Sequence, residues 1–172
     1  MKYLKFLEKW DMWTQTTTMK DVEPQYDFAS TGKVYYGIHK IYLMRGNNKI
    51  EVKAKFDTGA RTSSIDFSVA SKLGISNELL EECKKLEHID VPKHISRKDQ
   101  KEIENKYTSD LKDRFPDEVT SVQISKSSSG FSIRAYIKCK IAYYGNVIDT
   151  EVNLRDRTGM SCEMLVGLKD ML

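Results

Sequence analysis

The stretch Val52-Lys53-Ala54-Lys55-Phe56-Asp57-Thr58-Gly59-Ala60-Arg61-Thr62-Ser63-Ser64-Ile65-Asp66 decides how the rest of the chain is read. From Ile50 to Phe56 the apolar residues Ile50, Val52, Ala54 and Phe56 alternate with Glu51, Lys53 and Lys55. A period of two is that of a strand with one face buried. The strand delivers Asp57 at its end, where a rigid element can hold a carboxylate while its tip reaches an open cleft. Gly59 lets backbone run close to that carboxylate, and Thr58 supplies a hydroxyl. Asp-Thr-Gly alone is also an ordinary turn at a strand end, so its neighbours decide its meaning.

Upstream, Val34 to Met44 is rich in β-branched and aromatic residues, and Arg45-Gly46-Asn47-Asn48 is a turn sequence, so the two segments form a hairpin. Downstream, residues 76–118 change texture. NELLEECKKLE and SRKDQKEIENKYTSDLKDRF are dense in charge with apolar residues at helical spacing. They predict one to three helices inserted between strands, lying outside the barrel and dispensable to it. Strands return after Val119, from Ser121 to Ser128, through Phe131 to Tyr144, and, after a Gly145-Asn146 turn, from Val147 to Asp156. The chain closes on Met164-Leu165-Val166-Gly167 and a possible helical turn. Ahead of all this, Leu4, Leu7, Met12 and Trp13 predict a short amphipathic helix, and the Thr run, Pro24, Ser30 and Gly32 predict a linker over residues 14–32. The division is therefore an N-terminal helix and linker over 1–33 and one domain over 34–172 with its insertion.

The bulk numbers exclude several classes. A length of 172 residues suits one compact domain with an appendage. The net charge is +3 from 28 basic and 25 acidic residues, and Trp10 and Trp13 stand in no basic patch, so neither nucleic acid nor an anionic membrane is indicated. No segment approaches the roughly 20 apolar residues of a membrane span. Cys83, Cys139 and Cys162 are odd in number and far apart, which predicts free thiols and a cytoplasmic setting. Cys83, His88 and His94 lack the spacing of a compact zinc module, and no phosphate-binding Gly-x-x-x-x-Gly-Lys-Ser/Thr occurs, so no metal or other cofactor is expected. His39 lies amid strand residues and is expected to be structural.

In combination these motifs resemble retropepsin-like aspartic peptidases, and more narrowly a bacterial group labelled ATP-dependent zinc proteases. The likeness rests on Lys53-Ala54-Lys55-Phe56-Asp57-Thr58-Gly59-Ala60-Arg61-Thr62-Ser63-Ser64, on Ile124-Ser-Lys-Ser-Ser-Ser-Gly130, on Glu151 to Met160, and on Met164-Leu-Val-Gly167. It spans about residues 34–75 and 119–172. It implies a mainly β fold, a closed antiparallel acid-protease barrel. Asp57 is then the catalytic carboxylate, with Thr58, Gly59, Ala60 and Arg61 as its loop and Ser127, Ser128, Ser129 and Gly130 as a flap. This chain has Asp66 where the family commonly has His, and Leu168 where it commonly has an Arg that braces the loop, which predicts a less supported Asp57.

An aspartic peptidase needs two carboxylates sharing one proton, because like charges at close range cannot both ionise easily. One Asp-Thr-Gly loop per chain therefore implies a homodimer with Asp57 at its two-fold axis; Asp66 or Asp156 is the intrachain alternative. The expected function is an aspartic-type endopeptidase acting on polypeptide. The alternative is a catalytically silent module of the same fold that binds or assembles with a protein partner.

Overall fold

The computed structural model describes residues 25–29, 32–127 and 130–171, with side chains from residue 37 onward. The expected N-terminal helix and the flap residues Ser128 and Ser129 lie outside the described residues. Eight strands appear in chain order: β1 (Gln25–Ala29), β2 (Gly32–Arg45), β3 (Asn48–Asp57), β4 (Ser64–Asp66), β5 (Val119–Ser127), β6 (Gly130–Tyr143), β7 (Asn146–Arg155) and β8 (Met164–Gly167). Three α-helices lie between β4 and β5: α1 (Phe67–Lys72), α2 (Asn77–Glu87) and α3 (Arg97–Arg114). A 3-10 turn, Leu168–Asp170, follows β8.

The sheet order is β1-β2-β3-β8-β4-β7-β6-β5, and an added β2–β6 pairing closes β2, β3, β8, β4, β7 and β6 into a six-stranded barrel. The closed barrel expected from the sequence is present, but it is mixed rather than antiparallel. Two pairings are parallel, β3 with β8 and β4 with β7. Hairpins make antiparallel neighbours, whereas these partners come together through long connections that leave the direction free. The predicted linker also needs correction, because Gln25–Ala29 pairs antiparallel with β2 from Gln25↔Tyr36 to Ala29↔Gly32.

Alternation in β3 behaves as read: Val52, Ala54 and Phe56 are buried and Glu51, Lys53 and Lys55 exposed. The β6–β7 turn shifts by one residue from its expected place. Tyr143 pairs with Asn146, leaving Tyr144 and Gly145 as central residues, both at positive φ (49° and 76°). Such a pair matches the right-handed twist of the flanking strands. His39 is fully buried and shares a hydrogen bond with the Tyr144 hydroxyl, with its ring edge-on to Phe56.

The charged insertion is helical as expected, yet it is more than an appendage. Its helices are capped by Ser76 and Ser96, whose hydroxyls accept the Leu79 and Asp99 amides. Both Ser76 donors reach Glu118, at 2.7 Å for the amide and 2.6 Å for the hydroxyl, so the two ends of the insertion are tied together. Helix α2 buries Leu79, Leu80, Cys83 and Leu86 in the common core. Helix α3 covers the open edge of β5: Thr108 takes the Val122 N–H and Glu104 the Ile124 N–H. An unpaired strand edge invites intermolecular pairing, and α3 removes part of that invitation. The insertion thus shares the barrel's core rather than lying wholly outside it.

Among the described residues, no helix is long and apolar enough to cross a membrane.

Candidate functional site

Asp57 ends β3 at the point where Asp57 lies beside Gly167 of parallel β8. The chain then turns sharply. The Gly59 N–H donates to Asp57 Oδ1 at 2.9 Å, and the Ala60 N–H to the Asp57 carbonyl at 3.1 Å. A Cβ at Gly59 would stand 3.1 Å from Asp57 Oδ1, closer than side chains tolerate without adjustment. Asp57 is half-buried, and its Oδ2 has no hydrogen-bond partner among the described residues. Thr58 and Ala60 are half-buried as well, while Gly59 and Arg61 are exposed.

Sequence reasoning anticipated a weakly braced loop because Leu168 replaces an arginine. The structure corrects that expectation. Leu168 and Lys169 donate backbone N–H groups to the carbonyls of Ala60 (2.8 Å) and Arg61 (3.1 Å). Gly167 lies so close to Thr62 that a Cβ there would stand 2.5 to 2.7 Å from three Thr62 backbone atoms. Ser63 Oγ accepts the Gly167 N–H at 3.0 Å and donates to Asp170 Oδ2 at 2.5 Å. The other oxygen of Asp170 accepts from Thr150 Oγ1 at 2.5 Å, and its carbonyl accepts the Tyr143 hydroxyl. From β7, Asn153 supplies its amide N–H (3.0 Å) and Nδ2 (2.8 Å) to the Ser63 carbonyl.

The brace is therefore carried by backbone contacts and by Asp170, a carboxylate 1% exposed. Sequence reasoning missed Asp170. Its only local signal was a charged residue at the end of an apolar run, which equally describes a solvated terminus.

The β5–β6 hairpin closes with Ser127 paired to Gly130, and Ser127 Oγ donates to the Gly130 carbonyl at 3.2 Å. Its link to the loop runs through Tyr136, whose hydroxyl lies 3.5 Å from both Thr62 Oγ1 and Ser125 Oγ.

Asp66 and Asp156, the intrachain alternatives, have other work. Asp66 caps α1: Oδ2 accepts from the Ser68 amide (2.9 Å) and hydroxyl (2.6 Å), and Oδ1 from the Arg157 amide (2.7 Å). Burial pushes this carboxyl upward, but those hydrogen bonds together hold it below its ordinary value. Asp156 accepts the Thr158 amide at 2.8 Å in a turn, and the Thr158 side chain and amide hold its carboxyl low.

The Cys83 thiol is buried against the barrel and pushed up to about 12 by that burial, while His88 ends α2. Among the described residues, no group of three or more His, Cys, Asp or Glu side chains is placed to hold a metal ion. One open hollow is lined by Arg45, Lys138, Lys140, Thr150 and Lys169 among others. A second, of about 300 Å³, is lined by Asp66, Phe67, Lys84, Glu87, His88, Asp156 and Thr158. Neither includes Asp57.

No family model matches the sequence, and no curated protein matches it. Among solved structures, the chain is similar to Lpg0085, a DUF785 protein of unknown function from Legionella pneumophila subsp. pneumophila str. Philadelphia 1. Identity is 14%, the match covers 78% of this chain and 83% of that one, and the TM-score is 0.35.

Proposed function

We propose that this chain is an aspartic-type endopeptidase of retropepsin-like fold, acting on polypeptide as a homodimer in which Asp57 of each copy contributes one carboxylate. The observation that carries the reading is the state of Asp57 itself. It sits at a strand end, one oxygen is oriented by the Gly59 N–H, and the other has no partner among the described residues. The loop behind it is held by close packing at Gly167 and by the Ser63–Asp170 bond. A pre-positioned carboxylate with one open oxygen suits a group that must hold water or share a proton. In the dyad, the ionised Asp57 activates water, and the neutral Asp57 of the other copy protonates the carbonyl oxygen. The β5–β6 hairpin closes over the bound polypeptide.

One observation favours the silent module instead. Leu168, 37% exposed, is an apolar residue beside the loop at the position where the resemblance implies arginine. An exposed apolar side chain in place of a bracing cation suits a contact surface for a protein partner.

A peptide-library digest of wild type and Asp57→Asn, with mass followed by light scattering, separates the two. Cleavage should require the dimer, follow a bell-shaped pH profile and vanish in Asp57→Asn, since Asn cannot exchange the proton. Cleavage by a proven monomer, or full activity in Asp57→Asn, would eliminate the dyad. No cleavage at any pH by a folded dimer favours the binding module.

A further inference from the structure

Three arginines converge on the sheet face that holds Thr62 and Ser64. Tyr136 of β6 pairs with Asn153 of β7, and two residues further along the two strands stand Arg134 and Arg155, on the same face by the strand period. Arg157 follows β7. Arg134 Nη1 donates to Asn153 Oδ1 at 3.3 Å, and Arg157 Nη1 to Ser64 Oγ at 3.0 Å. Asn153 and Ser64 are register partners across β7 and β4, so these guanidinium groups are anchored on adjoining residues.

Their surroundings are unusual for buried cations. Arg134 and Arg157 are 8% and 6% exposed. Their remaining hydrogen bonds go to neutral groups, Arg134 Nε to Ser132 Oγ (2.9 Å) and Arg157 Nε to the Cys162 carbonyl (3.0 Å). Arg155 is half-buried, and its Nε is buried without a hydrogen-bond partner among the described residues. None of the three makes an ion pair among those residues.

Glu87 at the end of α2, Asp66 at the start of α1 and Asp57 act on the cluster through space without reaching ion-pair distance. Burial, and then the charge of Arg155, lower both Arg134, to about 10, and Arg157. A buried donor with no partner beside mutually repelling cations calls for an anion that supplies both charge and acceptors.

We propose that Arg134, Arg155 and Arg157 form a binding site for an oxyanion group, a carboxylate or a phosphate, beside the Asp57 loop. Guanidinium forks match the spacing of two oxygens on either group, which chloride cannot offer. The half-exposed Arg155 leaves an approach from solvent. The site does not depend on Asp57 being catalytic, and its test needs no turnover.

The full chain is titrated with inorganic phosphate and, separately, with succinate, at ionic strength held constant with chloride. Arginine Nε–H resonances and the thermal midpoint are followed. Saturable shifts centred on Arg155 and a rising midpoint are expected with at least one of the two. Saturation by phosphate alone identifies a phosphate-bearing ligand, and by succinate alone a carboxylate-bearing one. Arg155→Met should weaken binding by about ten-fold or more and, by removing repulsion, raise the midpoint of the oxyanion-free protein. Arg114→Met, whose guanidinium is paired with Glu82 on the surface, should leave binding unchanged. A non-saturating response to both anions overturns the site whatever the variants do. So does undiminished binding in Arg155→Met.

Discussion

Ser63 and Ser64 are neighbours in sequence but face opposite sides of the sheet, where they meet opposite charges. Ser63 donates to the buried carboxylate of Asp170, which also takes the Thr150 hydroxyl. Ser64 accepts from the guanidinium of Arg157, near Arg134 and Arg155. On the Ser63 side the Asp170 carboxylate is satisfied by two hydroxyl donors, and Ser63 itself accepts the Gly167 amide of β8. On the Ser64 side two cations, Arg134 and Arg157, lean on neutral acceptors, and beside them the buried Nε of Arg155 has no partner among the described residues. Burying a charge is tolerable when its hydrogen bonds are complete and costly when they are not. The Ser63 face is therefore built as a brace, and the Ser64 face as a place with unspent binding capacity.

The comparison breaks first at Gly167, where the largest effect is expected. Gly167→Ala drives a methyl into the Thr62 backbone, which cannot swing aside as a long side chain could. A loss of about 3 kcal/mol is expected from such overpacking, measured as the shift in urea midpoint.

Asp170→Ala comes next, at about 2 kcal/mol, because it strands the Ser63 and Thr150 hydroxyls in a dry site. The contrast is with Arg155→Met on the other face, which should not destabilise the oxyanion-free protein. Should both substitutions lower stability alike, the two faces are not different in kind.

Glu87 gives the smallest effect, under about 1 kcal/mol for a half-buried group. Burial holds its carboxyl above the ordinary 4.5, opposed by the hydrogen bond from the Asp156 amide and by the Arg155 and Arg134 charges. The native state then keeps this proton more tightly than the unfolded chain. That contribution to stability is fully present below pH 4.5 and is lost as pH rises through the raised value. Glu87→Gln should remove this dependence, so the variant gains on wild type as pH increases. A flat difference between the two across a series of chemical denaturations would show that Glu87 does not feel the burial of this face.

Local pattern carried much of the architecture. The alternation of Val52, Ala54 and Phe56 with Lys53 and Lys55 was enough to define β3 and to put Asp57 at its end, because a strand's period is a property of consecutive residues. The same holds for α2 and α3, whose caps Ser76 and Ser96 and charged faces are written within single segments. Tertiary structure alone decided that β8 lies between β3 and β4, parallel to one and antiparallel to the other. It alone decided that Gln25–Ala29 is a strand, that Asp66 caps a helix, and that Leu79 and Leu86 belong to the barrel's core. The Ser63–Asp170 bond joins residues 107 positions apart, and the Arg157–Ser64 bond residues 93 apart. No periodicity spans such separations. Which buried charge finds partners and which does not is set by the closing of the barrel, since only then do the ends of β4, β7 and β8 meet.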